Sequence, residues 1–242
     1  MTAPVFLADG LESGRVVLAG PEGRHAATVR RVQPGEAVDL VDGRGMRASC
    51  TVVSVGRDVV ELDVLRRTTE QQAAPRLVLV QAIAKGDRGE LAVELATEVG
   101  IDAIVPWSAA RCVVKWDGER GAKALARWRS TAREATKQSR RSWLPHVHEP
   151  HTTAQVVELL GSAEAGLVLH EAATRPLAGL ELPGAGDVVL VVGPEGGIRD
   201  EELAAFEAVG ATAVRLGASV LRTSTAGAAA AAVVSARTAR WA

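Results

Sequence analysis

One apolar run followed by a glycine-rich loop constrains the fold of this chain more than any other feature. Val188–Val192 reads Val-Val-Leu-Val-Val, and its β-branched residues predict a strand buried on both faces of a parallel sheet. The loop Gly193-Pro-Glu-Gly-Gly197 follows directly, and its three glycines let a ligand approach the backbone where this strand ends. Because ligands of open α/β sheets bind at the carboxyl ends of strands, the loop predicts a small-molecule site.

A second loop of this kind follows nearby. A helix predicted over Arg199–Val209 and a strand over Ala213–Leu216 lead into the segment Leu216–Ala226, which is rich in small residues. The two strand ends together predict one composite site. The tetrapeptide of the first loop also occurs at Gly20–Gly23, but no long apolar strand precedes it there. We interpret that copy as a surface turn.

Strand and helix patterns alternate in the remainder of the C-terminal two thirds. This alternation predicts a mostly parallel sheet with helices on both of its faces. The predicted strands are Leu77–Ile83, Ala103–Pro106 and Gly166–His170, and the predicted helices are Glu90–Val99, Glu119–Ser142 and Ala154–Leu160.

Residues 1–68 are predicted to form a separate β-rich region. Val60, Leu62 and Val64 alternate with acidic residues, which is the period of a half-buried strand. The polar segment Arg66–Pro75 has no clear period and ends in proline, so we interpret it as a linker.

Asp42-Gly-Arg-Gly45 predicts a hairpin turn within this region. With the residues before it, the turn superficially imitates the glycine loop of Rossmann-type methyltransferases. Such a loop must open a helix, whereas Met46–Val55 has the pattern of another strand. One short helix is expected around His25–Val32.

Composition limits the class of protein. The chain has 242 residues, of which 47% are apolar, so it suits one large domain or two modest ones. No apolar run approaches the roughly 18–20 residues that span a bilayer, and Met1–Leu7 does not resemble a signal peptide. Cys50 and Cys112 are far apart and lack metal-ligand spacing. We therefore expect a cytoplasmic protein that does not insert into membranes.

Basic residues cluster although the formal net charge is −1. Residues 111–141 hold ten Lys and Arg against three acids, a local balance of +7. Within the predicted helix 119–142 an apolar stripe recurs, and the basic residues fall on another face, where like charges stack with little acidic relief. The face is either a solvated helix surface or a contact for RNA phosphates. Its residues are Arg129, Arg133, Lys137, Arg140 and Arg141.

Three histidines, His146, His148 and His151, lie close together, and the first two stand between Pro145 and Pro150. They have neither a cysteine partner nor the spacing of a zinc-binding helix, so no metal site is expected.

Several motifs resemble known families. Residues 188–234 are similar to the cofactor-binding end of the SPOUT methyltransferases. Further motifs occur in the order found in the RsmE family, whose members methylate N3 of uracil in small-subunit ribosomal RNA, and the resemblance extends from about His25 onward. The motifs are Lys85-Gly-Asp-Arg88, Glu94–Gly100, Glu134–Arg140 and Val192–Gly197.

The resemblance implies an α/β fold with two domains. Residues 76–242 would form a SPOUT-type domain whose parallel sheet carries a C-terminal trefoil knot. Residues 1–70 would form a small PUA-like, RNA-binding β-barrel before it. The implied activity is methylation of N3 of a uridine in the 16S ribosomal RNA of the small ribosomal subunit, with S-adenosyl-L-methionine as the cofactor. The implied assembly is a homodimer.

The loops and the resemblance together predict the site residues. Arg222 is the candidate catalytic residue, because its guanidinium can stabilise the negative charge that deprotonation of N3 spreads onto O2 and O4 of uracil. Glu195 either accepts a proton or has a structural role in its loop, and His170 is either a cofactor contact or a strand cap. The expected cofactor contacts are Leu169, His170, Gly193, Glu195, Gly196, Leu216, Gly217, Val220, Leu221, Arg222 and Thr225. The expected phosphate contacts are Arg24, Arg30, Arg31, Arg129, Arg133, Lys137 and Arg140.

One departure from the family pattern concerns the last loop. The resembled family reads Leu-Arg-x-Glu-Thr-Ala, whereas this chain has Ser224 in place of the glutamate. Alternative functions are methylation of another RNA, RNA binding without catalysis, and a nucleotide-dependent α/β enzyme. The last lacks a Gly-x-x-x-x-Gly-Lys-Ser/Thr loop.

Overall fold

The computed structural model describes residues 3–241, which form two compact units. The first unit comprises residues 3–72 together with Thr136–Leu144. The second comprises residues 73–135 and 145–241. The chain therefore passes from the second unit back to the first and out again, which a division at residues 70 and 76 does not anticipate.

A mixed sheet forms the first unit. Its strand order is β1-β3-β4-β5-β2, with β1 parallel to β3 and every other pair antiparallel. Within the described residues β1 and β2 are open edges, so the sheet is part of a barrel rather than a closed one. The strands are β1 (Val5–Leu7), β2 (Arg15–Leu18), β3 (Ala37–Val41), β4 (Met46–Gly56) and β5 (Val59–Thr69).

The predicted hairpin between β3 and β4 is confirmed. Asp42 Oδ1 accepts hydrogen bonds from the backbone N–H of Arg44 at 2.7 Å and of Met46 at 2.9 Å. Met46 then begins strand β4 and not a helix. The similarity to a Rossmann glycine loop is therefore superficial, as the sequence indicated.

The prediction of a surface turn at Gly20–Gly23 is wrong. These residues begin helix α1 (Gly20–Arg24), where proline suits the first turn because its missing N–H needs no partner there. Gly23 lies so close to the backbone oxygens of Leu18 and Asp58 that no side chain fits. A π-helical stretch, His25–Arg30, continues the segment where a short helix was expected.

A six-stranded sheet forms the centre of the second unit. Its order is β11-β9-β10-β6-β7-β8, and all of its described pairs are parallel. The Val188–Val192 run lies in β10 between β9 and β6 and is fully buried, as predicted. The strands are β6 (Arg76–Ala82), β7 (Ala103–Trp107), β8 (His146–Val147), β9 (Ala165–Leu169), β10 (Asp187–Val192) and β11 (Thr212–Val214).

Helices cover both faces of this sheet, as predicted. Helices α4 and α5 pack on one face through Val156, Leu160 and Phe206. Helix α6 packs on the other face, where Gly227 meets Leu79 and Val192, and it also contacts α2. Strand order and register do not define chain threading, so the trefoil knot stays a prediction. The helices are α2 (Arg88–Glu98), α3 (Gly118–Gln138), α4 (Thr153–Ser162), α5 (Asp200–Ala208) and α6 (Thr223–Ala236).

Two predicted boundaries need correction. The long helix ends at Gln138 and not at Ser142, because Arg140 adopts a left-handed conformation with φ 58°. The linker begins later than Arg66, because Arg66–Thr69 remain paired with β4 and extend β5. Among residues 3–241, no helix combines the length and the apolar character needed to cross a bilayer.

Candidate active site

A cavity of about 470 Å³ opens at the carboxyl ends of β9, β10 and β11. This volume lies in the range of small-molecule sites, and the position at the strand ends is the one the sequence predicted. The predicted residues that line the cavity are Leu169, His170, Gly193, Glu195, Leu216, Gly217, Val220, Leu221 and Arg222.

Gly196 and Thr225 do not line the cavity. A Cβ on Gly196 would lie 3.2 Å from the Cβ of Arg111, and Arg111 Nη1 donates to the Gly196 carbonyl at 3.1 Å. Gly196 therefore faces Arg111 instead of the cavity. Thr225 lies in the first turn of α6, where its hydroxyl donates to the carbonyl of Arg222 at 3.2 Å. Both were expected as cofactor contacts, and both support the loops from outside the cavity.

The cavity also has lining residues that the sequence analysis missed. Glu171 directly follows His170, and Arg88 belongs to the motif Lys85–Arg88, so adjacency to recognised motifs was the available signal for these two. The further residues are Val192, Pro194, Gly197, Ile198, Val214, Arg215, Ala218, Ser219, Thr223 and Ala226.

Glu195 is tied to the loop before α2. Its Oε1 accepts hydrogen bonds from Arg88 Nη1 at 3.1 Å and from the Lys85 N–H at 3.3 Å. These contacts give Glu195 the structural role that the sequence left open, since they join the loop after β10 to the loop after β6. They also place the Arg88 guanidinium beside a carboxylate at the cavity wall.

The loop after β11 presents its backbone to the cavity. Its base is fixed because the N–H of His170 donates to Val214 at 2.9 Å, and the N–H of Arg215 donates to Arg175 at 2.9 Å. Beyond that point, no N–H of residues 216–221 donates a hydrogen bond to another described residue. These donors are available to the edge of a bound heterocycle. Val220 is 77% exposed and Leu221 40% exposed.

His170 lies at the cavity wall and also makes a structural contact. It lines the cavity, and its Nδ1 accepts a hydrogen bond from the N–H of Ala172 at 3.3 Å, as a structural cap would.

Arg222 is held by its own backbone at the start of α6. It is the residue before the first helical turn, and its carbonyl accepts from the N–H of Thr225 at 2.9 Å and of Ala226 at 3.0 Å. Arg222 is also one of the residues that line the cavity. Ser224, where the resembled family has glutamate, is 4% exposed inside α6 and is not part of the cavity wall. The departure therefore affects the helix and not the cavity surface.

The predicted phosphate contacts are not all available for RNA. Lys137 is buried, and its Nζ lies 3.0 Å from Glu22 Oε1 and 3.5 Å from His25 Nδ1. The expectation that Lys137 contacts phosphate is therefore wrong, since its ammonium group pairs with the Glu22 carboxylate within the first unit. Arg129 is exposed, but it pairs with Glu149 at 2.9 Å and donates to the Val147 carbonyl. The remaining candidates are exposed: Arg24, Arg30, Arg31, Arg133 and Arg140.

The three histidines form a cluster at β8. The ring centroids of His146 and His148 are 4.4 Å apart, and those of His148 and His151 are 6.2 Å apart. Burial, together with the neighbouring His146 and His151, lowers the pKa of His148 to about 4. In the described part of the chain, no group of three or more His, Cys, Asp or Glu is placed to hold a metal ion.

Comparison with known proteins identifies the family. The model of an RNA methyltransferase domain matches residues 71–235, and the model of an RNA methyltransferase PUA domain matches residues 18–65. The chain belongs to this RNA methyltransferase family. Its N-terminal match confirms the predicted PUA-like domain that precedes the α/β methyltransferase domain.

Individual relatives agree with this assignment. The ribosomal RNA small subunit methyltransferase E of Mycobacterium bovis is 49% identical over 247 residues, which cover 100% of this chain and 94% of that protein. The enzyme of the same name from Bacillus subtilis is 30% identical and covers 86% of this chain and 85% of its own length. The crystal structure of the Neisseria gonorrhoeae enzyme, bound to S-adenosyl methionine, is 30% identical with a TM-score of 0.87, and the match covers 98% of both chains.

Proposed function

We propose that this protein transfers a methyl group from S-adenosyl-L-methionine to N3 of a uridine in the 16S ribosomal RNA of the small ribosomal subunit. The cavity between two glycine-rich strand ends, in a chain of the RNA methyltransferase family, is the observation that carries the proposal. The relatives named as small-subunit ribosomal RNA methyltransferases support the substrate, and the cofactor-bound Neisseria structure supports the cofactor.

The cavity residues fit S-adenosyl-L-methionine. Leu169, Val192 and Ile198 offer an apolar surface for the adenine ring, and the N–H groups of residues 216–221 offer donors for its edge. Glu171 and Glu195 provide negative charge for a cationic ligand, while Arg88 can pair with a carboxylate. When bound, the cofactor supplies an electrophilic methyl group on a sulfonium. The protein must then hold the acceptor nitrogen in line with that methyl group.

Arg222 and the N-terminus of helix α6 can stabilise negative charge on the uracil ring. Loss of the N3 proton leaves negative charge on O2 and O4, which the Arg222 guanidinium can bind through its fork of donors. The N-terminus of α6 begins at the next residue, and its dipole favours negative charge in the same place. Both groups interact more strongly as the charge develops, which is the condition for accelerating the chemical step.

The N3 proton needs an acceptor at the cavity wall. Three groups there can accept a proton: His170, Glu171 and Glu195. Glu195 Oε1 is already engaged by Lys85 and Arg88, and His170 Nδ1 by Ala172. Glu171 has no comparable contact among the described residues. We therefore assign Glu171 as the proton acceptor, a residue the sequence analysis did not name.

The substrate and the cofactor require further surfaces. We assign RNA phosphate binding to Arg24, Arg30 and Arg31 on the first unit, whose side chains are exposed, and to Arg133 on α3.

The exposed apolar residues Val220 and Leu221 beside the cavity favour burial by a second copy of the chain, so we propose a homodimer with a partner subunit next to each cavity. Sedimentation at micromolar concentration would show a dimer, and a fully active monomer would contradict it.

A cytoplasmic location follows from this function. Ribosomal subunits are the proposed substrate, and Cys50 and Cys112 are both free thiols, which fits a reducing compartment.

Methylation mapping in cells tests the function. Ribosomal RNA from cells lacking this gene should lose one N3-methyluridine in 16S RNA, and the wild-type gene should restore it. Methyl transfer would be excluded if the cells lacking this gene kept every modified base and calorimetry detected no cofactor binding. That result would favour an RNA-binding protein without catalysis.

A further inference from the structure

A buried chain of hydrogen bonds joins the two loops of the cavity. Gln81 lies on β6 in register with Val192 of β10 and is 0% exposed. Its Nε2 donates to the hydroxyl of Thr223 at 2.9 Å, and that hydroxyl donates to the carbonyl of Gly193 at 2.8 Å. Gly193 begins the loop after β10, and Thr223 begins α6 directly after the loop that follows β11. Gln81, from the middle of the sheet, therefore contacts one wall directly and the other through Thr223.

The direction of these hydrogen bonds is fixed by the chemistry of the three groups. A carbonyl can only accept, so the single hydroxyl proton of Thr223 must point to Gly193. The Thr223 oxygen then has to accept its second hydrogen bond, and Gln81 must turn its NH₂ group toward it. The same NH₂ group also contacts the Ala82 carbonyl at 3.2 Å.

This orientation leaves the other end of the amide without a partner. Gln81 Oε1 is buried and makes no hydrogen bond to any described residue. An unpaired buried acceptor is destabilising, and an apolar side chain of the same shape would avoid it. The arrangement is therefore costly for folding. That cost indicates that the NH₂ donor serves the cavity and not the stability of the sheet.

We propose that Gln81 is a positioning residue for cofactor binding, acting through Thr223. It holds Thr223 against Gly193, so the two loops keep the separation at which the cofactor fits between them. Because Arg222 directly precedes Thr223, the same contact fixes the point from which the Arg222 side chain enters the cavity. This inference rests on the proposed function, since it concerns the same cavity.

Substitutions of matched shape separate positioning from stability. Gln81→Met keeps the length of the side chain and removes its donor. We expect roughly tenfold weaker binding of S-adenosyl-L-methionine by calorimetry, the effect of losing one buried hydrogen bond, with a melting temperature equal to or above that of the wild type. Thr223→Val should weaken binding similarly, and Thr223→Ser, which retains the hydroxyl, should bind several-fold more tightly than Thr223→Val. Thr97→Val removes a buried hydroxyl from α2, away from the cavity, and should leave affinity unchanged.

A change of charge state tests the direction of the hydrogen bonds. The carboxylate of Gln81→Glu can only accept, so it would draw the Thr223 proton away from Gly193. Once protonated, the same carboxyl group can donate, so the lost affinity should return as the pH falls. A structural role for Gln81 would give no such recovery. Affinity should be compared with that of the wild type at each pH, at a temperature where both proteins are folded.

The double variant completes the test. If Gln81 acts through Thr223, Gln81→Met combined with Thr223→Val should bind no more weakly than either single variant, because both remove the same contact. Wild-type affinity in Gln81→Met, or additive losses in the double variant, would overturn the positioning role while leaving the proposed function intact. If Gln81→Met does not fold, the recovery of affinity by Gln81→Glu at low pH decides instead, and its absence would overturn the positioning role. A wild-type protein that binds no cofactor would overturn the proposed function, and the positioning role with it.

Discussion

Arg222 is the residue on which the proposed chemistry depends most. Replacing it with alanine should lower the single-turnover rate of methyl transfer by about 100-fold, the effect of removing one preorganised donor from developing charge. RNA affinity should change little, because the interaction strengthens only as the ring becomes anionic. Arg222→Lys should be intermediate, since lysine lacks the fork of donors. Arg237→Ala, at the exposed end of α6, is the control. An unchanged chemical rate would move the role to Arg88 or Arg215.

His148 should make the stability of the protein depend on pH. Its pKa is about 4 in the folded protein and near 6.5 when unfolded, so between these values the unfolded chain binds more protons. Stability should therefore fall as the pH drops from about 7 to about 4. The side chain is only half-buried and the neighbouring charges are screened, so we expect a loss of roughly 1 kcal/mol. The groups that disfavour its charge are His146, His151, Arg76 and Arg129.

Denaturation by urea at several pH values measures this effect. His148→Gln should reduce the change in unfolding free energy over that range. A pH dependence identical to that of the wild type would show that other groups cause it.

Single residues also show where sequence analysis stops. The buried strand β10 and the position of the loop after it could be predicted, because a run of five apolar residues allows few alternatives to a buried strand. The two glycines at 196 and 197 look equivalent in sequence, but only Gly197 lines the cavity, although an added Cβ on either would contact Arg111, at 3.2 Å and 3.6 Å. Lys137 has the helical spacing of an exposed residue, and its partner Glu22 is more than a hundred positions away. Periodicity contains no information about such a contact.

Helix α6 packs closely against the sheet at Gly227. A Cβ on Gly227 would lie 2.9 Å and 3.0 Å from the two methyl carbons of Leu79 and 3.5 Å from Val192. Gly227→Val should therefore destabilise the protein by about 1–3 kcal/mol through overpacking. Because Val192 ends β10 beside the cavity, cofactor affinity should fall as well.

A glycine in another helix provides the matched control. Gly161 lies near the end of α4, where an added Cβ would meet Val209 at an ordinary 3.7 Å. Gly161→Ala should leave stability unchanged or raise it by about 0.4–1 kcal/mol, because alanine reduces the freedom of the unfolded chain. Urea denaturation distinguishes the two substitutions. Equal stability of Gly227→Val and the wild type would mean that α6 can move away from the sheet without cost.

The positions of most helices and strands could be predicted from the sequence, except where tertiary contacts set the end of an element. The alternating patterns placed the strands and helices of the second unit within a few residues. The end of α3 was missed because the basic pattern continues through Arg141, while the chain turns at Arg140 to pair with the first unit. Local propensity did not indicate that turn.

For the second unit as a whole, a buried ion pair ties the C-terminal end of the chain to the sheet. Arg240 Nη1 lies 2.8 Å from Asp102 Oδ2 and also donates to the Pro75 carbonyl at 2.6 Å, while Nη2 donates to Gly100. The same Asp102 oxygen accepts from the N–H of Leu77 at 2.8 Å. The starts of β6 and β7 are therefore held together with the last described residues.

Breaking this pair should be costly. Arg240→Ala removes one partner of a buried ion pair, so the free energy of unfolding should fall by about 3–5 kcal/mol. Arg237→Ala removes an exposed arginine from the same segment and should change stability by less than about 0.5 kcal/mol. Urea denaturation compares both variants with the wild type. A loss below about 1 kcal/mol for Arg240→Ala would show that the C-terminal end contributes little to the stability of this unit.

Methyl transfer by the purified protein is measured most directly in one reconstituted reaction. Small ribosomal subunits from cells lacking this gene would be incubated with the purified protein and methyl-labelled S-adenosyl-L-methionine, and the modified nucleoside identified by mass spectrometry. We predict a single labelled product, N3-methyluridine, at one position of 16S RNA. Label on another base or another atom, or cofactor binding without any methyl transfer to the subunit, would contradict the account.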